Sequence, residues 1–269
     1  MTFLQRTLGQ NYKWWYYLRY SAIRILTFKF NIFGFRVGEI TEGIFTVFIW
    51  QNILAIKVGE NINELITYFV IGWIISQSSR ILIFNSLPNN IADGSITKNL
   101  IQPQKIFQTI LTRGFGAGFI NGLLTTLSFP VFLIPFWNSL IWNFNPFQIL
   151  AIIVVLGISM FIRSFVQILS SCVAFWTPEY QGVVSSIEQI SKILSGAMVP
   201  LYLLGKFSFI QYLPFSFGFY HPMQIYLGKY NNIQIFQTFG GGIIWCLILW
   251  ITARLVFKAG LKRNEAVGL

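Results

Sequence analysis

Few residues in this 269-residue chain have types and spacing that could do chemistry, and most of those lie inside apolar runs. Glu188 and Lys192 stand four apart, so on a helix they share one face, in the order that favours an ion pair. Ser185 and Ser195 extend that polar face, and Arg163 with Gln167 repeats the pattern in the preceding apolar run. Charge inside an apolar span is costly, so it marks either a path for polar groups or a partner. Two readings of Glu188 and Lys192 follow: a stripe along a translocation path or partner interface, or a self-neutralised pair near one end of its span. Arg163 poses the same question. Arg80 and Arg113 sit nearer a boundary, where long side chains reach the headgroups. Glu39 and Glu42 open a span close to Arg36 and read as a boundary ion pair.

Other chemistry is missing from the sequence. No GxxxxGK[ST], HExxH or GxSxG occurs, so the chain does not hydrolyse ATP unaided and no catalytic residue is assigned. No nucleophile stands with a base. The single histidine, His221, lies beside Pro222 in an aromatic segment and reads as a packed or interfacial imidazole. Cys172 and Cys246 both fall in apolar runs, which implies neither a disulfide framework nor a metal site. Gly114, Gly118 and Gly122 repeat every four residues and form a stripe where another backbone can approach closely.

The elements that must position these residues follow from composition. Hydrophobic residues make up 55% of the chain and charged residues 10%, against about 25% charged in ordinary soluble domains. That much apolar surface, gathered in runs of roughly 20 residues, needs lipid to cover it. The expected fold is an all-α membrane protein with six transmembrane helices, at about 37–56, 64–87, 107–136, 147–175, 183–200 and 235–257. One transmembrane domain fills 1–269, beginning with an interfacial arm at 1–36 where aromatics alternate with cations. Residues 200–232 are crowded with Gly, Pro and aromatics and are expected to form an external re-entrant or interfacial hairpin. A basic tail occupies 258–269.

The net charge of +11 is placed for a membrane and not for nucleic acid. Arg6, Lys13, Arg19, Arg24, Lys29 and Arg36 fall in an acid-free N-terminal stretch, and Lys258, Lys262 and Arg263 lie in the tail. Basic ends and a basic 88–105 segment put both termini in the cytoplasm. Within 88–105, a turn at Asp93-Gly94-Ser95 leads into a short helix with Ile96, Leu100 and Ile101 on one side and a stop at Pro103. Ser95 is a candidate cap. Such a segment presents a knob to a soluble partner, or is an ordinary connecting loop.

Four stretches together resemble a type 2 ABC exporter permease, the half-size transmembrane subunit. They are IADGSITKNLIQPQ (91–104), FWTPEYQGV (175–183), SGAMVPLYLL with YLPFSFGFYHPMQIYLG (within 195–228), and the basic tail with a glycine near its end. The likeness runs over nearly the whole chain in order and spacing, except that Glu179 follows Pro178 where a less defined polar pair is expected. It implies a multi-pass protein of a bacterial-type inner membrane that exports an amphipathic substrate. It also implies a second permease copy or a sister permease, and two cytoplasmic ABC ATPase subunits that bind the ATP and Mg. No cofactor is expected in this chain. By this resemblance Asp93, Gly94, Ser95, Lys98, Leu100 and Pro103 form the ATPase-coupling segment, and Arg163, Ser185, Glu188 and Lys192 are candidates for the path. An ion-coupled secondary transporter is the alternative, but it favours repeated halves, and 37–136 shows no repeat in 147–257. A non-transport scaffold would need none of the intramembrane charges.

Overall fold

The structure, a computed structural model, describes Ile23 and residues 29–56, 62–79, 87–96 and 106–267. These are all helix, turn or loop, with no strand among the described residues. Among the described residues, eight α-helices with defined bounds follow in order: α1 Lys29–Ile56, α2 Ile62–Ser78, α3 Leu87–Ala92, α4 Ile106–Leu133, α5 Pro146–Cys172, α6 Tyr180–Ser195, α7 Tyr220–Tyr226 and α8 Asn232–Val267. Tighter 3₁₀ turns occupy Ile134–Ser139, Val173–Phe175, Leu201–Tyr212 and Pro214–Gly218. Each expected apolar run is helical. Of the N-terminal arm, residues 29–36 are continuous with α1, and the rest apart from Ile23 lies outside the described residues.

Local chemistry sets where the helices begin and end. Asn145 caps α5 by accepting a hydrogen bond from the Phe147 N–H at 3.0 Å, with Pro146 at the first helical position. Gly196 ends α6 at φ +88°, a left-handed conformation that glycine adopts without a Cβ penalty. Residues 80–86 of the expected second run lie outside the described residues, and the described part of the second helix ends at Ser78. There the Ser78 hydroxyl donates back to the Ile74 carbonyl and Ser79 to Ser76, and such local bonds compete with the helical ladder. Helix α4 contains Pro130, which lacks the N–H for one rung, and its two parts bend by 53°.

Two helical stretches, Pro146–Phe175 and Asn232–Arg263, are long and apolar enough to cross a membrane, and the bent pair Phe107–Thr125 with Phe129–Ser139 makes a third. Helices α5 and α8 pack along each other, while Ile153, Phe161, Ile244, Leu247 and Ile251 point outward. At 32 residues and 1.5 Å per residue, the α8 stretch is about 48 Å long, more than the ~30 Å hydrocarbon core. Its last turns therefore carry Lys258, Lys262 and Arg263 beyond the apolar part, exposed.

The core is divided. One cluster joins α1, α2 and the end of α4 to the 200–232 segment, the expected hairpin, through Tyr68, Phe132, Leu201 and Met223. A second joins α5, α7 and α8 through Val155, Ile162, Ile225 and Ile235. The third lies at the opposite end, where Leu87, Ile91 and Ile96 pack against Phe165, Ile168, Cys172, Ala253 and Phe257. The gap between these clusters holds the polar residues.

Candidate functional site: a polar cavity between three helices

Helix α5 carries Ser159, Arg163, Gln167 and Ser170 on one face at helical spacing. Helix α6 presents Glu188, Ser191, Lys192 and Ser195 in the same way, and α2 ends in Ser76 and Gln77. These faces converge on a cavity of about 130 Å³, with Pro214, Phe215 and Gly218 of the hairpin forming another wall. Apolar side chains, Ile162, Val166 and Ile187, fill the spaces between. Three of the four sequence-derived path candidates, Arg163, Glu188 and Lys192, line it. The fourth, Ser185, is exposed on α6, where its hydroxyl donates to the Gly182 carbonyl at 3.0 Å.

Arg163 is a cross-brace. Its Nη1 donates to the Ser76 carbonyl at 3.1 Å, and its Nη2 donates to the Ser76 hydroxyl at 2.9 Å and the Gly218 carbonyl at 3.1 Å. One guanidinium thus ties α5 to α2 and to the hairpin. A Cβ on residue 218 would run into that guanidinium, so the hairpin can approach this closely only with glycine there. Neither Ser76 nor Gly218 is marked out by its sequence neighbourhood. The only signal is an isolated glycine within the aromatic run PFSFGF.

Lys192 forms its ion pair across the bundle, not along its own helix. Its Nζ lies 2.9 and 3.1 Å from the Glu42 carboxylate oxygens on α1, a partner that neither reading of the Glu188–Lys192 stripe named. The partner is 150 positions away in the chain, so four-residue spacing could not reveal it. Glu188 instead lines the cavity. The boundary pair at the start of α1 is also divided. Arg36 bonds Glu39 at 3.0 Å, and it donates to the side-chain oxygen of Asn121 at 2.6 Å and to its carbonyl at 2.9 Å.

Among the stripe glycines, Gly114 and Gly118 are buried. A Cβ on Gly122 would sit 3.3 Å from the Ser78 carbonyl, so this position serves the contact of α4 with α2 inside the chain. In the 88–105 segment, the Asp93 side chain accepts from the Ser95 N–H at 2.9 Å, and Gly94 takes φ +72°. That turn is a short Asx motif which leaves Asp93 exposed and drives Ile96 into the core. The Tyr180 hydroxyl at the start of α6 donates to the Asn89 side chain at 2.8 Å. Lys98, Leu100 and Pro103 lie outside the described residues.

His221 sits in the hairpin, with its ring nitrogens 2.9 Å from the Tyr230 hydroxyl and 2.9 Å from the Gln211 carbonyl. The carbonyl can only accept, so Nε2 carries the proton and Nδ1 accepts from the tyrosine. Burial pushes this imidazole down, to about 4, which keeps it neutral and suits it to packing and not to proton transfer.

No curated protein and no solved structure matches the chain significantly. The model of one family, described as "ABC-2 family transporter protein", matches residues 28–268, nearly the whole chain. Proteins of that family work with ABC ATPase partners and generally carry no catalytic site themselves. The chain therefore belongs to the ABC-2 transporter family and is one of its membrane permeases.

Proposed function

We propose that this chain is one transmembrane half of an ATP-driven exporter. Six helices, α1, α2, α4, α5, α6 and α8, cross an inner membrane, with both termini cytoplasmic and the 200–232 hairpin on the external side. The chain pairs with a second copy or a sister permease and docks two cytoplasmic ATPase subunits, which bind ATP and Mg. The segment Asp93-Gly94-Ser95 with Lys98, Leu100 and Pro103 is the docking element. ATP-driven closure of the ATPases tilts the helices, and an amphipathic substrate leaves between the permease halves.

The observation that carries this reading is a cavity lined by Arg163, Glu188 and Lys192 inside a bundle otherwise packed with apolar side chains. Charged groups inside an apolar bundle cost stability, so their convergence on one cavity favours a use beyond packing. Its place beside the hairpin suits passage of a headgroup. The apolar face of α6, with Val183, Ile190 and Ile193 exposed, suits lipid or a second permease.

Co-expression with an ABC ATPase from neighbouring genes tests the proposal. The ATPase is expected to co-purify in detergent, and the double substitution Asp93→Lys with Lys98→Glu is expected to release it and stop export. An unbound ATPase, or export untouched by the double substitution, would sink the reading.

A further inference from the structure

We propose that the cavity between α2, α5 and α6 is a binding subsite for a neutral sugar headgroup carried on a lipid tail. The proposal rests on the permease reading above and names the chemistry of what its cavity takes.

Ser159 is the starting point. It is 1% exposed, it lines the cavity, and its hydroxyl has no hydrogen-bond partner in the protein. A buried hydroxyl left unpaired costs about 1–3 kcal/mol, so a ligand that pairs it recovers that cost. Three other serines in the wall have already spent their protons. Ser170 donates to the Gln167 carbonyl at 2.9 Å, Ser191 to Ile187 at 2.6 Å and Ser195 to Lys192 at 2.8 Å. What these three offer a ligand is acceptor lone pairs.

The cations do not turn this wall into an anion site. Arg163 aims its donors at Ser76 and Gly218, and Lys192 aims its ammonium at Glu42. An anion would arrive needing donors and meet oxygens. A cationic headgroup would meet the Arg163 guanidinium and a Lys192 ammonium, and the Glu42 carboxylate is already taken by Lys192. A neutral hydroxyl fits both constraints, because it donates to the serine oxygens and accepts from Ser159. Several hydroxyls around one ring match several acceptors around one cavity. Ile162, Val166 and Phe215 supply apolar surface for the carbon face of such a ring. At about 130 Å³ the cavity is on the scale of one six-membered ring.

The test uses the full chain purified in octaethylene glycol dodecyl ether, a micelle without sugar, and reads its melting temperature. Diglucosyl diacylglycerol is expected to raise that temperature by several degrees. Phosphatidic acid and dioctadecyldimethylammonium, the anionic and cationic lipids, are expected to do less. Free maltose separates a soluble sugar from a lipid-borne one, and is expected to give no shift at matched concentration. Ser159→Val is expected to weaken glucolipid binding about tenfold, while Ser159→Thr retains it. Ser159→Ala, with the same expected loss, replaces valine if the valine chain melts early in the plain micelle. A glucolipid shift no larger than that of the charged lipids, a larger shift with maltose, or binding indifferent to loss of the 159 hydroxyl would each overturn the proposal. The measurement needs no ATPase. Failure here with the ATPase still bound removes the sugar subsite alone, and a glucolipid shift without ATPase binding removes the permease coupling alone.

Discussion

The two ends of the bundle are held by different physics. At the hairpin end, side chains reach backbone groups across the chain. Trp50 donates to the Met198 carbonyl, Tyr68 to Gly196, Trp245 to Tyr212 and Tyr226 to Ile141, at 2.8 to 3.1 Å. Asn143 donates to Tyr226, and Thr67 accepts from the Ile141 N–H. Lys229 adds an ion pair to Glu64 and lies 4.8 Å above the Tyr202 ring. At the opposite end, Leu87, Ile91 and Ile96 make apolar contact with α5 and α8, and among the bonds of the described residues there is the one from Tyr180 to Asn89. Hydrogen bonds have direction and fix one register. Apolar burial has none, so packed surfaces can slide while staying buried. Among the described residues, the hairpin end is tied by more directional bonds than the 87–96 end.

Two cysteines allow each end to be read separately. Cys172 belongs to the 87–96 cluster, and Cys246 lies next to the Trp245 that bonds the hairpin. The rate at which a thiol reagent reaches each one, in a chain whose other cysteine is serine, reports local opening.

The largest expected effect comes from Gly218→Ala. Its Cβ evicts the Arg163 guanidinium and strips the Ser76 and Gly218 carbonyls of a charged donor. Bonds to a charged group contribute about 1.5–3 kcal/mol and crowding adds more, so a loss of about 3 kcal/mol is expected. That is more than a hundredfold faster labelling at Cys246. In an Arg163→Met background the same glycine substitution should cost little, because the clash has gone. Additive costs in the double variant would show that the brace is not what demands the glycine.

At the other end, Ile91→Ala removes apolar contact and no hydrogen bond. A cavity substitution of this kind costs about 2–4 kcal/mol. Labelling of Cys172 should accelerate, with Cys246 unaffected. Equal acceleration at both thiols would mean that the ends open as one unit and that the contrast between them is false.

What could be read in the sequence follows the range of each interaction. The six helical runs were legible because hydrophobic runs and proline or glycine stops act within a few residues. So was the inward polar face of α6, since Glu188, Lys192 and Ser195 recur at helical spacing. The described part of α2 ends at Ser78, where serine hydroxyls turn back on the helix within an otherwise apolar run. The partners could not be read at all. Glu42 reaches Lys192, and Gly218 reaches Arg163, only after the helices have packed. Ser159 looked like any serine in a span. Its significance lies in lacking a partner, which is a property of the assembled cavity.

The smallest expected effect tests the contrast most finely. Tyr180→Phe keeps the ring and removes the hydroxyl that bonds Asn89. A single neutral hydrogen bond contributes about 1 kcal/mol, so Cys172 labelling should rise only about fivefold. Its consequence for coupling should be larger than its cost in stability. That bond ties α3 directionally to α6, and the exposed Asp93 turn follows α3 by one residue. Without it, the surface stays buried but can sit in more than one place, so the docking turn is presented less often in the right orientation. ATP-driven transport measured per bound ATPase should therefore fall more steeply than the labelling rate rises. A transport loss merely proportional to the loss of folded protein would mean that this bond supplies stability alone, and that apolar packing already fixes the register of the 87–96 end.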